Sequence, residues 1–290
     1  MRRIEESELI INPDGSIFHL HLRPEEIADN IILVGDPGRV DTVASFFSKI
    51  EATADNREFK TVTGTFNGKR ISVVSTGIGT DNIDIVVNEL DALVNIDLKE
   101  RTEKSIKKKL RLVRLGTSGA LQPDIPVDSF VLTGIAIGFD GLLNFYKGRD
   151  QVCNLGMEKA FLEHTQWNSQ CAKPYFVPSS PELIRLFEDF TINGTTISAP
   201  GFYGPQGRVL RLPLADENIN SKIESFRYEG RKITNFEMES SAINGLSLLL
   251  GHYSLTICAI IANRITKQAS PDYKSNVKIL IEQALNRLTN

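Results

Sequence analysis

Apolar residues fall into short uninterrupted runs separated by glycine-rich turns. Ile31-Ile32-Leu33-Val34 is closed by Gly35-Asp36-Pro37-Gly38, and the run from Ile71 to Ser75 by Thr76-Gly77-Ile78-Gly79. A third run, Leu112 to Leu115, ends in Gly116-Thr117-Ser118-Gly119, and others lie at Phe130 to Leu132 and Leu255 to Ala262. Runs of this length bounded by turn residues predict strands buried on both faces. Between them the pattern changes: Val40 to Phe47 reads as a helix, and Ile83 to Val94 has helical apolar spacing. Buried strands that end in glycine turns and lead into helices predict an α/β fold with a largely parallel central sheet and helices outside. No repeat, low-complexity segment or Pro/Ser-rich linker divides the chain, so residues 1–290 are expected to form a single domain.

One stretch departs from this pattern. Asp97 to Arg111 is dense in charge, which predicts a solvated helix or loop insertion, a nucleic-acid patch being the alternative. The whole chain argues against that alternative, because its net charge of -3 offers no dominant basic face to release phosphate counterions. Any bound anion must therefore meet a few placed cations. With 41% hydrophobic and 24% charged residues, the 290-residue chain can bury a sizeable core, which excludes disorder. Its cysteines, Cys153, Cys171 and Cys258, have neither the number nor the spacing for a disulfide framework or a CxxC zinc site. A reducing compartment fits. The charged start, Met1-Arg2-Arg3-Ile4-Glu5-Glu6, lacks a signal-peptide apolar region, and no run approaches the roughly 18 apolar residues of a membrane span. The expected location is cytoplasmic, with no membrane partner.

Glycine loops at the ends of parallel strands are where ligands approach the backbone. Asp36 and Arg39 follow the first loop, Thr76 lies in the second, and Arg114 precedes Thr117 and Ser118 at the third. Arg114 is the most informative, since a guanidinium within an apolar strand needs a carboxylate or phosphate partner. Gly116-Thr117-Ser118-Gly119-Ala120 fails as a nucleophile elbow at Ala120, and no histidine stands in the usual order after an acid except His252, in a helix-like run. Neither a GxxxxGK[ST] loop nor a complete dinucleotide fingerprint occurs, so ATP and NAD are not implied. Late in the chain, Asn235-Phe236-Glu237-Met238-Glu239-Ser240 places carboxylates at i and i+2. On an extended segment they share a face. Either could hold the vicinal hydroxyls of a ribose, or favour a helix N-terminus.

Taken together, Gly35-Asp36-Pro37-Gly38-Arg39, Ser75-Thr76-Gly77-Ile78-Gly79, Arg114-Leu115-Gly116-Thr117-Ser118-Gly119-Ala120 and Asn235-Phe236-Glu237-Met238-Glu239-Ser240 resemble, in order, the signature blocks of the hexameric nucleoside phosphorylase family. The uridine phosphorylase branch is the nearest. The resemblance implies a mixed sheet wrapped by helices. Phosphate would lie at Gly35, Arg39, Arg114 and Thr117, with Arg57 reaching in from a neighbouring subunit. His19 would cross the same interface to the ribose 5'-hydroxyl, while Met238, Glu239 and Thr117 hold the ribose. Phe202-Tyr203-Gly204-Pro205-Gln206-Gly207-Arg208 resembles the base-binding segment, where Phe202 stacks on uracil and Gln206 and Arg208 bind its edge; Ser118 and Gly119 complete the base site. A glutamine offers an acceptor and donors to an imide, and an arginine donates to a carbonyl oxygen gaining charge. The Gly204-Pro205 order reverses the Pro-Gly usual in that branch.

Where the purine branch carries an aspartate, this chain has Asn263 followed by Arg264, as in the uridine branch. An asparagine supplies no titratable proton. The resemblance therefore implies reversible phosphorolysis of uridine to uracil and ribose 1-phosphate in pyrimidine salvage, with Arg39, Arg114, Gln206, Arg208 and Glu239 carrying the reaction. Phosphate is a co-substrate and no cofactor is implied. A structural monovalent cation, potassium, would sit at the dimer interface on positions matching Glu58, Ile71 and Ser75, whose ordinary reading is an interface carboxylate and a buried strand. The expected assembly is a homodimer, or a hexamer as a trimer of dimers. The alternatives are a purine or other pyrimidine nucleoside phosphorylase, a hydrolytic nucleosidase, which would lack the paired phosphate arginines, and a non-catalytic nucleoside-binding protein.

Overall fold

Residues 2–290 are described by the structure, a computed structural model. Strand β1 (Asn30–Val34) buries its four apolar residues completely, as a run apolar on both faces requires. Asp36 caps helix α1 (Pro37–Ala44), its carboxylate accepting from the Gly38 N–H at 2.9 Å, and Pro37 opens the helix. The helix stops at Ala44, before the predicted Phe47. Phe47 instead lies against Gly64, where a Cβ would come within 2.6 Å of its ring, so the chain turns to seat this aromatic on the sheet.

An antiparallel meander follows: β2 (Lys49–Asn56), β3 (Phe59–Phe66) and β4 (Lys69–Ser75), the last returning parallel to β1. Helix α2 (Thr80–Asn95) buries Ile83, Val86, Val87 and Leu90, one face at i, i+3, i+4 and i+7. Next comes β5 (Arg111–Ala120), where the expectation of a turn at Gly116 to Gly119 is overturned: the strand runs straight through. Register explains this, for Thr117 and Ser118 face Ala259 and Ile260 on one side and Gly119 faces Phe236 on the other. Two strands hold the segment extended.

The remaining strands of the main sheet and the longer helices are β6 (Phe130–Gly138), α3 (Leu155–Thr165), β7 (Tyr175–Pro178), α4 (Pro181–Phe187), β8 (Ile192–Ser198), α5 (Ile219–Ser225), β9 (Asn235–Glu237), α6 (Ser240–Leu250), β10 (Tyr253–Asn263), β11 (Gln268–Ala269) and α7 (Tyr273–Thr289). The main sheet is mixed, ordered β11-β10-β6-β8-β9-β5-β1-β4-β3-β2, with β7 on β6. Because β10 also pairs with β5, the strands β5, β10, β6, β8 and β9 close a circuit. Cores lie on both faces: Ile31 and Leu33 face α2 and α6, whereas Ile32 and Val34 face α1, α4 and α7.

Asp97 to Leu110 forms a loop rather than a helix, and Arg111 opens β5. Ile96–Asp97 pairs with Thr102–Glu103, and the Arg101 carbonyl accepts from the Ile4 N–H at 2.8 Å, tying down the N-terminal arm. Lys107 pairs with Glu103, Lys108 with Asp29 and Arg111 with Glu182. His252 stands outside the helix expected for it, in the turn between α6 and β10, buried with Nδ1 accepting from the Leu110 N–H. Among the described residues no helix is long and apolar enough to cross a membrane.

Candidate active site

Arg114 projects from β5 and is 6% exposed. Its guanidinium folds back over Gly116, where any Cβ would collide with Nη1. Gly116 is therefore what lets the arginine lie along the strand. Nη2 donates to Glu239, and Nη1 stands 3.5 Å from Glu237. The two carboxylates differ in their remaining partners. Glu237 accepts from the Ser198 and Ser240 hydroxyls at 2.5 and 2.7 Å and from the Glu239 and Ser240 N–H groups at 2.9 Å, which caps the start of α6. Among the described residues, Glu239 accepts from the Arg114 side chain and, through Oε1, from the Gly79 N–H at 2.8 Å.

Burial works against the charge on Arg114, but Glu239 and then Glu237 outweigh it and hold the guanidinium firmly protonated. Burial pushes the Glu239 carboxyl above its ordinary value; Arg114 opposes the shift and Glu237 adds to it. Cys258 lies behind the arginine, Sγ 4.0 Å from Nη1, its thiol pushed up to about 12 chiefly by burial and so neutral.

Arg39, in the first turn of α1, donates to the Leu115 carbonyl at 3.2 Å and has no carboxylate within ion-pair distance among the described residues. Burial, and then the nearby Arg114, lowers its pKa. Two neighbouring cations with one unpaired mark a place for an anion. Gly35 lies beside it: a Cβ there would be 3.5 Å from the Gly77 carbonyl, so the first two glycine loops adjoin. Thr117 is half-buried farther along β5, and Met238 is half-buried between the two carboxylates.

A second group forms around the loop before α5. Arg208 lies 3.9 Å from the Phe202 ring centroid and donates to the Phe202 carbonyl at 2.6 Å and to Gln206 Oε1. Gln206 is buried while Phe202 is half-exposed. With Oε1 engaged, the Gln206 side-chain amine has no partner among the described residues and is free to donate. Arg264 donates to the Gln206 carbonyl at 2.6 Å; burial, then Arg208, brings its pKa down to about 10. It also lies 5.3 Å from the Phe236 ring centroid, and a Cβ on Gly119 would be 4.0 Å from its Cγ. The two groups thus share β5 and β9. Ser118 does not present a free hydroxyl to a base: its Oγ donates to the Phe236 carbonyl and accepts from Asn235, both at 2.7 Å. Asn263 is likewise turned inward, donating to the Gln122 and Ile125 carbonyls at 2.9 Å.

His19 and Arg57 belong to neither group. They adjoin each other, since Asn56 donates to the His19 carbonyl at 2.8 Å and Arg57 is exposed at the β2–β3 turn with φ 57°. The His19 ring Nδ1 is 2.6 Å from Glu89. Ser75 donates to the Glu58 carbonyl at 2.5 Å and accepts from the Lys60 N–H at 2.7 Å, while Ile71 is buried in β4. Several participants have no role in the sequence reading: Gly79 stands in the second glycine loop ahead of a helix, whereas Ser198, Cys258 and Glu89 carry no local signal.

The sequence pattern of the Phosphorylase superfamily matches residues 29–289. A uridine phosphorylase of Thermococcus kodakarensis is 26% identical over 277 residues, covering 95% of this chain and 87% of its own. A purine nucleoside phosphorylase of the DeoD type from a Shewanella strain is 28% identical over 236 residues, covering 77% and 92%. Among solved structures, the Trypanosoma brucei nucleoside phosphorylase, whose crystal structure is described as showing uridine phosphorylase activity, superposes with a TM-score of 0.85 at 30% identity, covering 97% of this chain and 99% of that one.

Proposed function

The chain belongs to the phosphorylase superfamily and is a nucleoside phosphorylase, a pentosyltransferase; on that premise we propose that it cleaves uridine with inorganic phosphate to give uracil and ribose 1-phosphate. The observation that carries this reading is buried Arg114, joined to Glu239 and flanked by unpaired Arg39. Such a cluster supplies cations for a phosphate and a carboxylate for ribose hydroxyls side by side.

In this reaction a phosphate oxygen forms a bond to C1' on the face opposite the base, the C1'–N1 bond breaks, and its electron pair leaves on uracil. Arg39 and Arg114 aim and neutralise the phosphate, Glu239 fixes the ribose, and the Gln206 amine with Arg208 meets the carbonyl oxygens that gain charge. The contribution is positioning and preorganised charge, without a covalent intermediate. Asn263 favours uracil over a purine: it cannot serve as an acid, and its amide is spent on the Gln122 and Ile125 carbonyls. His19 and Arg57 complete a partner's site in a homodimer, and three dimers make a hexamer.

Uracil release from uridine, measured with and without phosphate, separates phosphorolysis from hydrolysis: turnover should require phosphate and fall about 100-fold or more in Arg114→Ala. Phosphate-independent cleavage would overturn the proposal in favour of a nucleosidase. Inosine, adenosine, deoxyuridine and thymidine in the same assay set the specificity, and uridine binding without any uracil release would leave a binding protein.

A further inference from the structure

Arg114 and Glu239 each have a substrate to hold in the proposed reaction, yet each is engaged with the other. Glu239 Oε1 is fixed by the Gly79 N–H at 2.8 Å, so Oε2, the oxygen facing Arg114, is the exchangeable one. The lone pair and the share of negative charge that Oε2 gives to the guanidinium are withdrawn from a ribose hydroxyl, so this oxygen accepts more strongly from the ribose once Arg114 lets go. We propose that Glu239 competes with phosphate for Arg114, so that phosphate binding releases this carboxylate oxygen to the ribose and the two substrates bind with positive coupling. The inference rests on the reading of Arg114 as a phosphate ligand and Glu239 as a ribose ligand.

Three observations favour exchange over a permanent bridge. First, Arg114 meets Glu239 through one nitrogen only: Nε is buried without a partner, and Nη1 has a sulfur at 4.0 Å and Glu237 at 3.5 Å. A guanidinium fork is better matched by a tetrahedral dianion that accepts from two nitrogens. Second, a dianion gains Arg39 as well, which has no carboxylate within ion-pair distance among the described residues, whereas Glu239 gains Arg114 alone. Third, Glu237 is held by four other donors and keeps its place beside Arg114 when Glu239 lets go. Opening the pair leaves Oε2 buried and unpartnered, a costly state that an incoming hydroxyl relieves. Phosphate alone bears that cost and nucleoside removes it, so each strengthens the other, reciprocally.

Sulfate, a tetrahedral dianion that does not carry the reaction forward, makes the coupling measurable. Calorimetric titration of the intact protein with uridine should give about fivefold or greater tightening in saturating sulfate, and sulfate should tighten by the same factor in uridine. Glu239→Gln keeps an oxygen for the Gly79 N–H but removes the competing charge. It should bind inorganic phosphate about fivefold or more tightly than the unaltered protein, and the sulfate effect on uridine should vanish. Weaker or unchanged phosphate binding in Glu239→Gln, or uridine affinity indifferent to sulfate in the unaltered protein, would overturn the coupling. Arg114→Ala tests the underlying reading separately: unchanged phosphate affinity there removes the phosphate assignment itself, whereas lost phosphate binding there with no gain in Glu239→Gln overturns the exchange alone.

Discussion

Gly116 ties the backbone of β5 to the chemistry of the site, because the guanidinium two residues before it occupies the space a Cβ would need. Gly116→Ala should therefore drive Arg114 off Glu239, raising the phosphate KM about tenfold or more and costing about 1–3 kcal/mol by overpacking. Steady-state kinetics and thermal unfolding would report both. Gly35→Ala is the contrast: its Cβ would meet the Gly77 carbonyl at an ordinary 3.5 Å, so stability should change by less than about 0.5 kcal/mol while phosphate approach suffers. Equal loss of stability in the two variants would contradict this account of Gly116. The raised Glu239 carboxyl gives a pH dependence. Between the ordinary 4.5 and its folded value the native protein holds a proton that the unfolded chain does not, so this contribution to stability is full below the ordinary value and lost as pH rises through the folded one. Activity runs the other way, since Glu239 must be ionised to accept a ribose hydroxyl. The acid limb of kcat/KM for uridine should lie above pH 4.5 and disappear from the residual activity of Glu239→Gln.

Elements that stand in the core on both faces were legible as apolar runs, and β1, β4 and β10 sit where those runs predict. The meander strand β2 was not, since it alternates exposed Glu51, Thr53 and Asp55 with half-buried Ala52, Ala54 and Asn56 and takes its shape from pairing with β3. The glycines of β5 misled for a related reason: read alone they signal a turn, but pairing on both sides holds them extended and Arg114 explains one of them. At the site, Arg114 announced itself as a charge inside an apolar run, and the adjacent carboxylates were visible as a pair. Which carboxylate is anchored and which is exchangeable depends on Ser198 and Gly79, residues distant in sequence. The loop after α2 was legible as solvated charge, and its pairs are exposed, with Lys107 and Glu103 at 45% and 69%. Such pairs contribute under about 1 kcal/mol, so Lys107→Ala with Lys108→Ala should leave both uridine kinetics and the unfolding temperature nearly unchanged. A large loss of activity would give this loop a part in catalysis that its contacts do not suggest.

Across the whole molecule, 33 lysines and arginines are balanced by 36 aspartates and glutamates, so binding an anion depends on where single cations are placed. Arg39 and Arg114 stand together, but exposed Arg57 sits apart at the β2–β3 turn beside His19. If the third arginine serves a partner, activity belongs to pairs of subunits, and two inactive variants should repair one another. In a dimer of one Arg57→Ala subunit and one Arg114→Ala subunit, the first keeps its own Arg114 and receives an intact Arg57, while the second site lacks both. Random mixing makes half the dimers mixed, each with one of two sites whole, so about one quarter of the unaltered activity should return. Co-expression of the two variants, with phosphate-dependent uracil release per protomer as the readout, measures this fraction. An Arg57 that acts within its own subunit predicts no recovery, because both sites of a mixed dimer then lack one arginine. The fraction depends on the dimer alone: assembling three dimers into a hexamer multiplies the sites without changing which subunit lends Arg57 to which.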